Sequence, residues 1–244
     1  PDFLVLSPGI PLHFPTPHPL VTQAREKGCE IIGDIELIAQ AVKSASCVGI
    51  TGTNGKSTAT ALVGHILASA GRKVEVGGNI GTPVLELHPL GAGGSYVLEV
   101  SSYQLELTPS APFDVAVLLN IAPDHLERHG SMDNYLAAKK LIFSGTNDPA
   151  TAIIGTDDSF SKTIFEEVKK RDRWQAIAIS GNHEISGGVY VLDGVLVDDR
   201  FGKNSKVLDL ASVPSLPGAH NWQNAAAAFV TASVLGLGSD EIAA

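Results

Sequence analysis

The amino-acid sequence predicts an α/β protein with a mainly parallel sheet, flanking helices and one small antiparallel hairpin. Strand-like and helix-like segments alternate along most of its 244 residues, which is the order that builds a parallel sheet. Residues 113–121 form a mainly apolar run, as a strand buried on both faces does. A glycine-rich loop joins the apolar segment 47–51 to a helix-like segment. In such sheets ligands bind at the carboxyl ends of the strands.

The first 45 residues predict a short run of strand, helix, strand and helix. The apolar start of the chain ends in the turn Ser7-Pro8-Gly9, because proline and glycine interrupt a strand. We expect strands at 3–6 and 30–32 and helices at 19–27 and 34–44. A change in composition at residues 44–46 predicts a boundary between a first domain, residues 1–45, and a second domain, residues 46–244.

The second part of the chain continues the alternation. The turn Asp193-Gly194 between apolar residues predicts a two-residue hairpin over 189–197. Ser239 starts another helix, and because both ends of the chain fall inside predicted elements, we expect a fragment of a longer protein. The remaining predictions are strands at 47–51, 73–76, 95–100, 113–121, 151–154 and 175–179 and helices at 56–70, 132–143, 159–171 and 221–235.

The composition excludes several classes of protein. Hydrophobic residues make up 44% and charged residues 18%, which is typical of a globular protein. The net charge is −9 and no basic run interrupts it, so nucleic acid is not an expected partner. Cys29 and Cys47 lack metal-ligand spacing, which predicts two buried free thiols in a reducing cytosol. No apolar run reaches the roughly 18 residues of a membrane helix, so we expect a cytoplasmic protein without a membrane partner.

The segment Gly49–Thr58, with the sequence GITGTNGKST, is the clearest chemical motif. Glycines let backbone N–H groups turn towards phosphate oxygens, and the N-terminus of the following helix favours an anion. Lys56 can reach the β- and γ-phosphates of a nucleotide, and the Ser57 hydroxyl can bind Mg²⁺. The general phosphate-loop pattern has glycine where this chain has Ile50. A glycine-rich turn without a ligand is therefore the alternative interpretation.

Two predicted strands end in candidate metal ligands. Glu99 ends the apolar strand 95–100, where a carboxylate would face the phosphate loop and offer the hard oxygen that Mg²⁺ prefers. His125 follows the apolar run 113–121, and a neutral imidazole can bind metal or substrate. A solvated glutamate and an ordinary loop histidine are the alternatives at these positions.

Helical periodicity singles out Lys139. Met132, Tyr135, Leu136, Ile142 and Phe143 form one apolar stripe of the predicted helix. Lys139 falls near the middle of that stripe, whereas Lys140 points about a quarter-turn away. A lysine on a buried face is costly unless it is paired or modified, and a lysine that reaches past the edge of the core is the alternative.

These motifs together resemble the Mur ligase family, which shares the variant spacing of the phosphate loop. The resemblance covers nearly the whole chain and includes the segments 33–37, 77–81, 98–106 and 124–126 and the block Tyr135-Leu-Ala-Ala-Lys139. It implies a central ATP-binding domain at 46–244. It also implies that residues 1–45 are the tail of a Rossmann-like domain that binds the UDP-linked substrate.

The resemblance also implies roles for individual residues. Lys56, Lys139 and His125 would be catalytic; Ser57 and Glu99 would hold one Mg²⁺, and His125 with a carbamylated Lys139 would hold a second. Asn221 and Asn224 would border the adenine, although a helix cap is the alternative for Asn221. The implied ATP-binding residues of the loop are Gly52, Thr53, Asn54, Gly55, Lys56, Ser57 and Thr58. The implied contacts to the sugar nucleotide are Ser7, Pro8, Gly9, Asn79, Ser101 and Gln104.

The activity that the resemblance implies is an ATP-dependent amide ligation in peptidoglycan precursor synthesis. Its substrates would be UDP-N-acetylmuramoyl-L-alanine and D-glutamate, joined through an acyl phosphate by a monomeric enzyme. The family's C-terminal domain, which binds the incoming amino acid, is expected to be absent from this chain. The alternatives are another Mur-type step, a ligase like folylpolyglutamate synthetase, and a phosphate-loop ATPase or nucleotide-binding module without ligation.

Overall fold

Strands and helices alternate in the computed structural model, which describes residues 2–42, 44–145, 147 and 150–244. The strands are β1 (Phe3–Val5), β2 (Glu30–Ile32), β3 (Ser46–Thr51), β4 (Lys73–Gly78), β5 (Gly94–Glu99), β6 (Val115–Leu118), β7 (Ala150–Gly155), β8 (Trp174–Ser180), β9 (Val189–Leu192), β10 (Val195–Asp198) and β11 (Ser205–Asp209). The helices are α1 (Pro19–Glu26), α2 (Asp34–Ala41), α3 (Lys56–Ser69), α4 (Ser102–Leu105), α5 (Leu126–His129), α6 (Met132–Lys140), α7 (Ser159–Val168), α8 (Gly218–Val234) and α9 (Ser239–Ala243).

The main sheet has nine strands in the order β11-β10-β9-β8-β7-β6-β3-β5-β4. The strands from β9 to β4 pair in parallel, whereas β10 pairs antiparallel with both β9 and β11. β1 and β2 form a separate parallel pair. The predicted α/β fold, with a mainly parallel sheet and a small antiparallel hairpin, is confirmed.

Helices cover both faces of the main sheet, and β6 shows how its sequence suits this arrangement. Successive strand residues point to opposite faces, so Val115 and Val117 pack into the layer that contains α3 and α8. Ala116 and Leu118 pack into the opposite layer, which contains α6 and α7. Both layers are apolar, which explains why the strand reads as a continuous apolar run. β3 lies between β5 and β6, so the ends of these three strands meet at one place.

Several boundaries differ from the sequence predictions. The run 113–121 pairs only as β6, since its last residues leave the sheet to form a loop beside β3. The helix predicted at 132–143 ends at Lys140 and continues as a 3-10 turn, and the helix predicted from residue 221 begins at Gly218. α2 ends at Ala41, and Lys43, which the prediction included, lies outside the described residues. The sequence did not predict α4, α5 or β11.

Three further observations concern the sequence predictions. The domain boundary near residue 45 stays a prediction, although β1 and β2 pair separately from the main sheet. Cys29 and Cys47 are free but half-buried rather than fully buried. Cys47 lies at the margin of an apolar cluster. Within the described ranges, the helices are too short or too polar to cross a membrane.

Candidate active site

The phosphate loop connects the carboxyl end of β3 to the first turn of α3. Gly55 is the residue before α3 and has a φ of +82°, a left-handed conformation that favours glycine. A Cβ atom at this position would overlap the side-chain amide of Asn224 on α8. The first N–H groups of α3 have no partners within the helix and open towards the loop. The geometry therefore requires glycine here and leaves an anion-binding helix end beside it.

Neighbouring loops hold this phosphate loop in place. The side-chain amide of Asn120 makes two hydrogen bonds with the backbone of Asn54. Asn54 N donates to Asn120 Oδ1 at 2.9 Å, and Asn120 Nδ2 donates to Asn54 O at 3.1 Å. Thr53 N donates to Asn120 O at 2.9 Å, and Thr53 Oγ1 lies 2.9 Å from the Tyr135 hydroxyl. Lys56 Nζ donates to Thr53 O at 2.9 Å, so the lysine lies along the loop. The loop is therefore ordered by residues from α6 and from the segment that follows β6.

Glu99 lies at the end of β5 with its carboxylate against the loop. It is only 2% exposed, and each of its oxygens accepts a hydrogen bond. Ser57 Oγ donates to Oε2 at 2.7 Å, and Asn79 Nδ2 donates to Oε1 at 2.8 Å. A hydroxyl and a carboxylate in contact are hard oxygen donors of the kind that Mg²⁺ prefers.

The donor set leaves most of a Mg²⁺ coordination sphere to other ligands. Among the described residues, no group of three or more His, Cys, Asp or Glu side chains is arranged to hold a metal ion. Mg²⁺ in nucleotide enzymes is usually bound by one or two carboxylates together with substrate phosphates and water. Ser57 and Glu99 fit that pattern.

Lys139 is buried beneath the phosphate loop, on the face of α6 that the helical period predicts. It is 2% exposed, and its Nζ donates to Thr51 Oγ1 at 2.9 Å and to Gly52 O at 2.8 Å. Burial, followed by the positive charge of Lys56, lowers the pKa of Lys139 to about 7. Lys140 instead forms an ion pair with Glu167 near the surface. A large fraction of the Lys139 amine is therefore neutral and nucleophilic near neutral pH.

Two histidines, one before α5 and one within it, have different surroundings. His125 precedes the helix in a left-handed conformation, φ +51°, and its half-exposed ring lies 3.4 Å from Asp124 Oδ2. His129 is buried, and its Nε2 lies 2.9 Å from Ser102 Oγ. Burial is the main cause that lowers the pKa of His129 to about 4, with Arg128 as the next cause, so this ring is neutral at pH 7. His125 is the histidine that is open to a ligand.

A cleft of about 220 Å³ brings many of these side chains together at the carboxyl ends of the strands. Asp124 and Tyr135 were not predicted from the sequence, although both lie inside the motifs that indicated His125 and Lys139. Ser101 caps α4 and forms a reciprocal pair with Gln104, whose amide serves this cap and does not line the cleft. The cleft is lined by Lys56, Asn79, Ser101, Ser102, Tyr103, Asp124, His125, Tyr135 and Lys139.

The remaining predicted residues lie outside this cleft. Asn224 is 2% exposed and lies against Gly55, and its Oδ1 has no hydrogen-bond partner among the described residues. Asn221 lies one turn inside α8 and donates from Nδ2 to Pro217 O at 2.9 Å, so it is not the capping residue. The turn Ser7-Pro8-Gly9 follows β1 and is closed by a hydrogen bond from Ile10 N to Ser7 O.

Comparisons with known proteins point in one direction. The profile of the Mur ligase middle domain matches residues 50–232. The UDP-N-acetylmuramoylalanine–D-glutamate ligase of Phenylobacterium zucineum is 52% identical over 98% of the chain, which covers 52% of that protein. Its counterpart from Rhodospirillum rubrum is 51% identical over 96% of the chain and is covered to 49%. The chain thus spans about half the length of the curated relatives it matches.

Solved structures share the fold at low sequence identity. A Neisseria meningitides UDP-N-acetylmuramate:L-alanyl-gamma-D-glutamyl-meso-diaminopimelate ligase superposes with a TM-score of 0.66 at 15% identity, over 99% of this chain and 76% of that chain. MurF ligase from Thermotoga maritima, in complex with ADP, gives 0.59 at 19% identity, over 91% and 59%. These two likenesses concern the fold alone. Because the middle-domain match covers well over half of the residues and agrees with the phosphate loop and the fold, this chain belongs to the Mur ligase family.

Proposed function

We propose that the protein containing this chain joins D-glutamate to UDP-N-acetylmuramoyl-L-alanine in an ATP-dependent reaction of peptidoglycan precursor synthesis. The observation that carries the proposal is one cleft, lined by Lys56 of the phosphate loop and by the buried Lys139. The buried Glu99 lies behind its wall, hydrogen-bonded to Asn79 and to Ser57 of the loop. The names of relatives that are about half identical supply the specific substrates.

ATP is the proposed ligand of the phosphate loop. Lys56 would exchange its contact with Thr53 O for the β- and γ-phosphates, and the open N–H groups of α3 would receive phosphate oxygens. The adenine would lie towards α8, where Asn224 offers a buried amide oxygen without a partner among the described residues. A related ligase of this fold has been solved with ADP, which is consistent with a nucleotide at this loop.

Two Mg²⁺ ions are the proposed cofactors. Ser57 and Glu99 would hold one, and His125 together with a carbamylated Lys139 would hold the other. When bound, these ions would neutralise charge on the phosphate being transferred. The surroundings of Lys139 suit the carbamylation, since its pKa of about 7 keeps much of the amine neutral. The amine lone pair would form a bond to the carbon of CO₂, and one amine proton would leave to solvent.

The proposed reaction has two steps in the cleft. The alanyl carboxylate attacks the γ-phosphorus and ADP leaves, which gives an acyl phosphate. The amine of D-glutamate then attacks the acyl carbon, loses a proton and displaces phosphate. Asn79 and Ser101 would orient the sugar nucleotide from the cleft wall, with the turn Ser7-Pro8-Gly9 as a further contact. Lys56 would stabilise the charge that moves onto the leaving ADP.

The test is phosphate release by the full-length protein with ATP, Mg²⁺ and UDP-N-acetylmuramoyl-L-alanine, while single amino acids are added in turn. We expect release that depends on D-glutamate and not on L-glutamate. We also expect Lys56→Ala to lower the rate by orders of magnitude while the protein stays folded. Release with another amino acid would move the protein to a different ligation step. Release without any acceptor would support an ATPase, which the loop alone allows as the second candidate.

A further inference from the structure

A second group of polar side chains lies at the carboxyl ends of β7 and β8, outside the cleft. Asp157 follows β7, and its Oδ1 accepts a hydrogen bond from Ser180 Oγ at the end of β8. The Oδ2 atom accepts from Gly181 N at 2.8 Å and from Gln223 Nε2 of α8 at 2.9 Å. His183 Nδ1 lies 2.9 Å from Ser180 Oγ and 3.1 Å from Asp157 Oδ1. None of the proposed reaction steps uses these residues.

The group contains a serine, a histidine and an aspartate, but it does not form a hydrolytic triad. Ser180 is fully buried, and its hydroxyl donates directly to Asp157 rather than to the histidine. A nucleophile needs a base within hydrogen-bond reach and an open path to the substrate. The buried hydroxyl lacks that path. We therefore look for the role of the group in its hydrogen bond to Gln223.

Gln223 connects this group to the phosphate loop. Its Nε2 donates to Asp157, and its Oε1 accepts from Asn120 Nδ2 at 3.3 Å. The same Asn120 amide brackets Asn54 of the loop. Gln223 is 4% exposed, so both ends of its amide are satisfied inside the protein. The four residues Asn54, Asn120, Gln223 and Asp157 therefore form a continuous relay, which we name the amide relay.

The backbone leaves room for this relay at a glycine. A Cβ atom on Gly155, at the end of β7, would lie 2.6 Å from Gln223 Nε2 and would also overlap the carbonyl oxygen of Leu119. The absence of a side chain lets α8 approach the sheet closely enough for Gln223 to reach Asp157. The side-chain NH₂ of Asn120 has two hydrogens. One is donated to Asn54 O of the loop and the other to Gln223 Oε1.

We propose that Gln223 is a positioning residue for the nucleotide: through Asn120 it holds Asn54 and the phosphate loop in the conformation that receives the phosphates. The inference rests on the proposed function, because it assumes that the loop binds ATP. Loss of Gln223 removes the hydrogen bond that fixes Asn120 against the loop, but it removes no group that touches the ligand. The expected effect is therefore moderate and confined to ATP.

The test variant is Gln223→Met, which keeps the length of the side chain and removes both hydrogen bonds. Asn120 Nδ2 still donates to Asn54 O, and Asp157 Oδ2 still accepts from Gly181 N, so each neighbour keeps a partner. The matched control is Gln175→Met at an exposed position of β8. Gln223→Leu, which also suits a buried helix position, is the second variant if the first does not fold.

The measurements on the full-length protein are the dissociation constant of ATP by titration calorimetry and the KM values of ATP and the sugar nucleotide. In Gln223→Met we expect the ATP dissociation constant and the ATP KM to rise about fivefold, while the sugar-nucleotide KM stays within about twofold. Partial unfolding alone would lower kcat and leave both KM values unchanged. We expect Gln175→Met to behave as wild type.

The outcomes separate the inference from the function it builds on. Wild-type protein that does not bind ATP would overturn both. Wild-type binding with an unchanged ATP KM in Gln223→Met would overturn the inference and leave the proposed function standing. Failure of both Gln223 variants to fold would also overturn it, because the relay would then serve folding rather than the loop.

Discussion

Lys139 shows how the surroundings of one residue give a measurable dependence on pH. Burial lowers the pKa of its amine from the ordinary value of 10.5 to about 7. Between these two values the unfolded chain holds a proton that the folded chain has released. The free energy of unfolding therefore rises with pH across the window from about 7 to 10.5. Below pH 7 both states are protonated and the destabilising effect of the buried charge is complete.

We predict that from pH 7 to pH 9 the free energy of unfolding of wild type rises by about 2 kcal/mol relative to that of Lys139→Met. Urea denaturation in buffers freed of CO₂ measures this difference and keeps the amine unmodified. Lys140→Met is the control for loss of a lysine from the same helix, since Lys140 is paired with Glu167 near the surface. Parallel stability curves for wild type and Lys139→Met would contradict the lowered pKa.

The residues of the site were predictable from sequence only where a local pattern contains them. The helical period placed Lys139 on the buried face of α6, and its burial agrees. Gln223 and Asp157 are 66 positions apart, so no local pattern reveals that they meet. Gln104 lies within a motif of the family but uses its amide to cap α4. Neighbours that meet through the tertiary fold were therefore missed.

At the scale of elements, the two ends of α3 offer a matched comparison. Gly55 before the helix and Gly71 after it both have left-handed backbones, with φ values of +82° and +73°. A Cβ atom would meet nothing within 4 Å at Gly71, but at Gly55 it would overlap the Asn224 amide. The backbone cost of alanine is similar at both ends, so the difference between the two variants measures the contact with α8.

We predict that Gly71→Ala lowers the free energy of unfolding by about 1 kcal/mol because of its backbone conformation. Gly55→Ala should lower it by a further 1–3 kcal/mol or so, because the buried amide has little space to move. Urea denaturation of the two variants against wild type gives both values. Equal losses would mean that Asn224 moves aside at no cost and that its contact does not shape the phosphate loop.

Elements were predicted well where a strong local signal exists. The hairpin formed by β9 and β10 was predicted because Asp193 and Gly194 suit a turn in which both residues have positive φ, and they do. β11 was missed because its side chains are exposed or only partly buried and do not alternate. α4 and α5 have four residues each, which is too short for any helical period to show.

At the scale of the whole molecule, the alternation of elements predicted the parallel sheet but not the order of its strands. β3 lies in the interior of the sheet and β4 lies at its edge, although the two strands precede and follow the same helix, α3. The order depends on which layers of side chains pack together, and such contacts join residues far apart in the chain. The same holds for the packing of the β1–β2 pair against Leu107, which follows α4.

Arg128 on α5 makes a further contact, with the segment that follows β1. Its guanidinium donates from Nη2 to Ile10 O at 2.8 Å and from Nη1 to Phe14 O at 3.2 Å. The same group lies 5.1 Å from the ring centre of Tyr103, which lines the cleft. One side chain thus fixes the segment after the turn Ser7-Pro8-Gly9 relative to the active-site cleft.

We predict that Arg128→Ala speeds amide hydrogen exchange between residues 10 and 18 by on the order of tenfold, because two charge-assisted hydrogen bonds are lost. Exchange in β6 should stay unchanged and serves as the internal reference. Arg128→Lys keeps the charge but cannot reach both carbonyl oxygens in the same way, so it should restore little of the protection. The exposed Arg72→Ala is the control for loss of a surface arginine.

Arg128→Ala should affect the KM of the sugar nucleotide, whereas Gln223→Met should affect the KM of ATP. Since the Arg128 contact orients the segment proposed to touch the sugar nucleotide, we expect Arg128→Ala to raise the sugar-nucleotide KM while the ATP KM stays within about twofold. An ATP KM that rises as much would mean that Arg128 supports the fold of the whole cleft. Unchanged exchange between residues 10 and 18 would show that other contacts hold the segment, and the proposed role of Arg128 would be wrong.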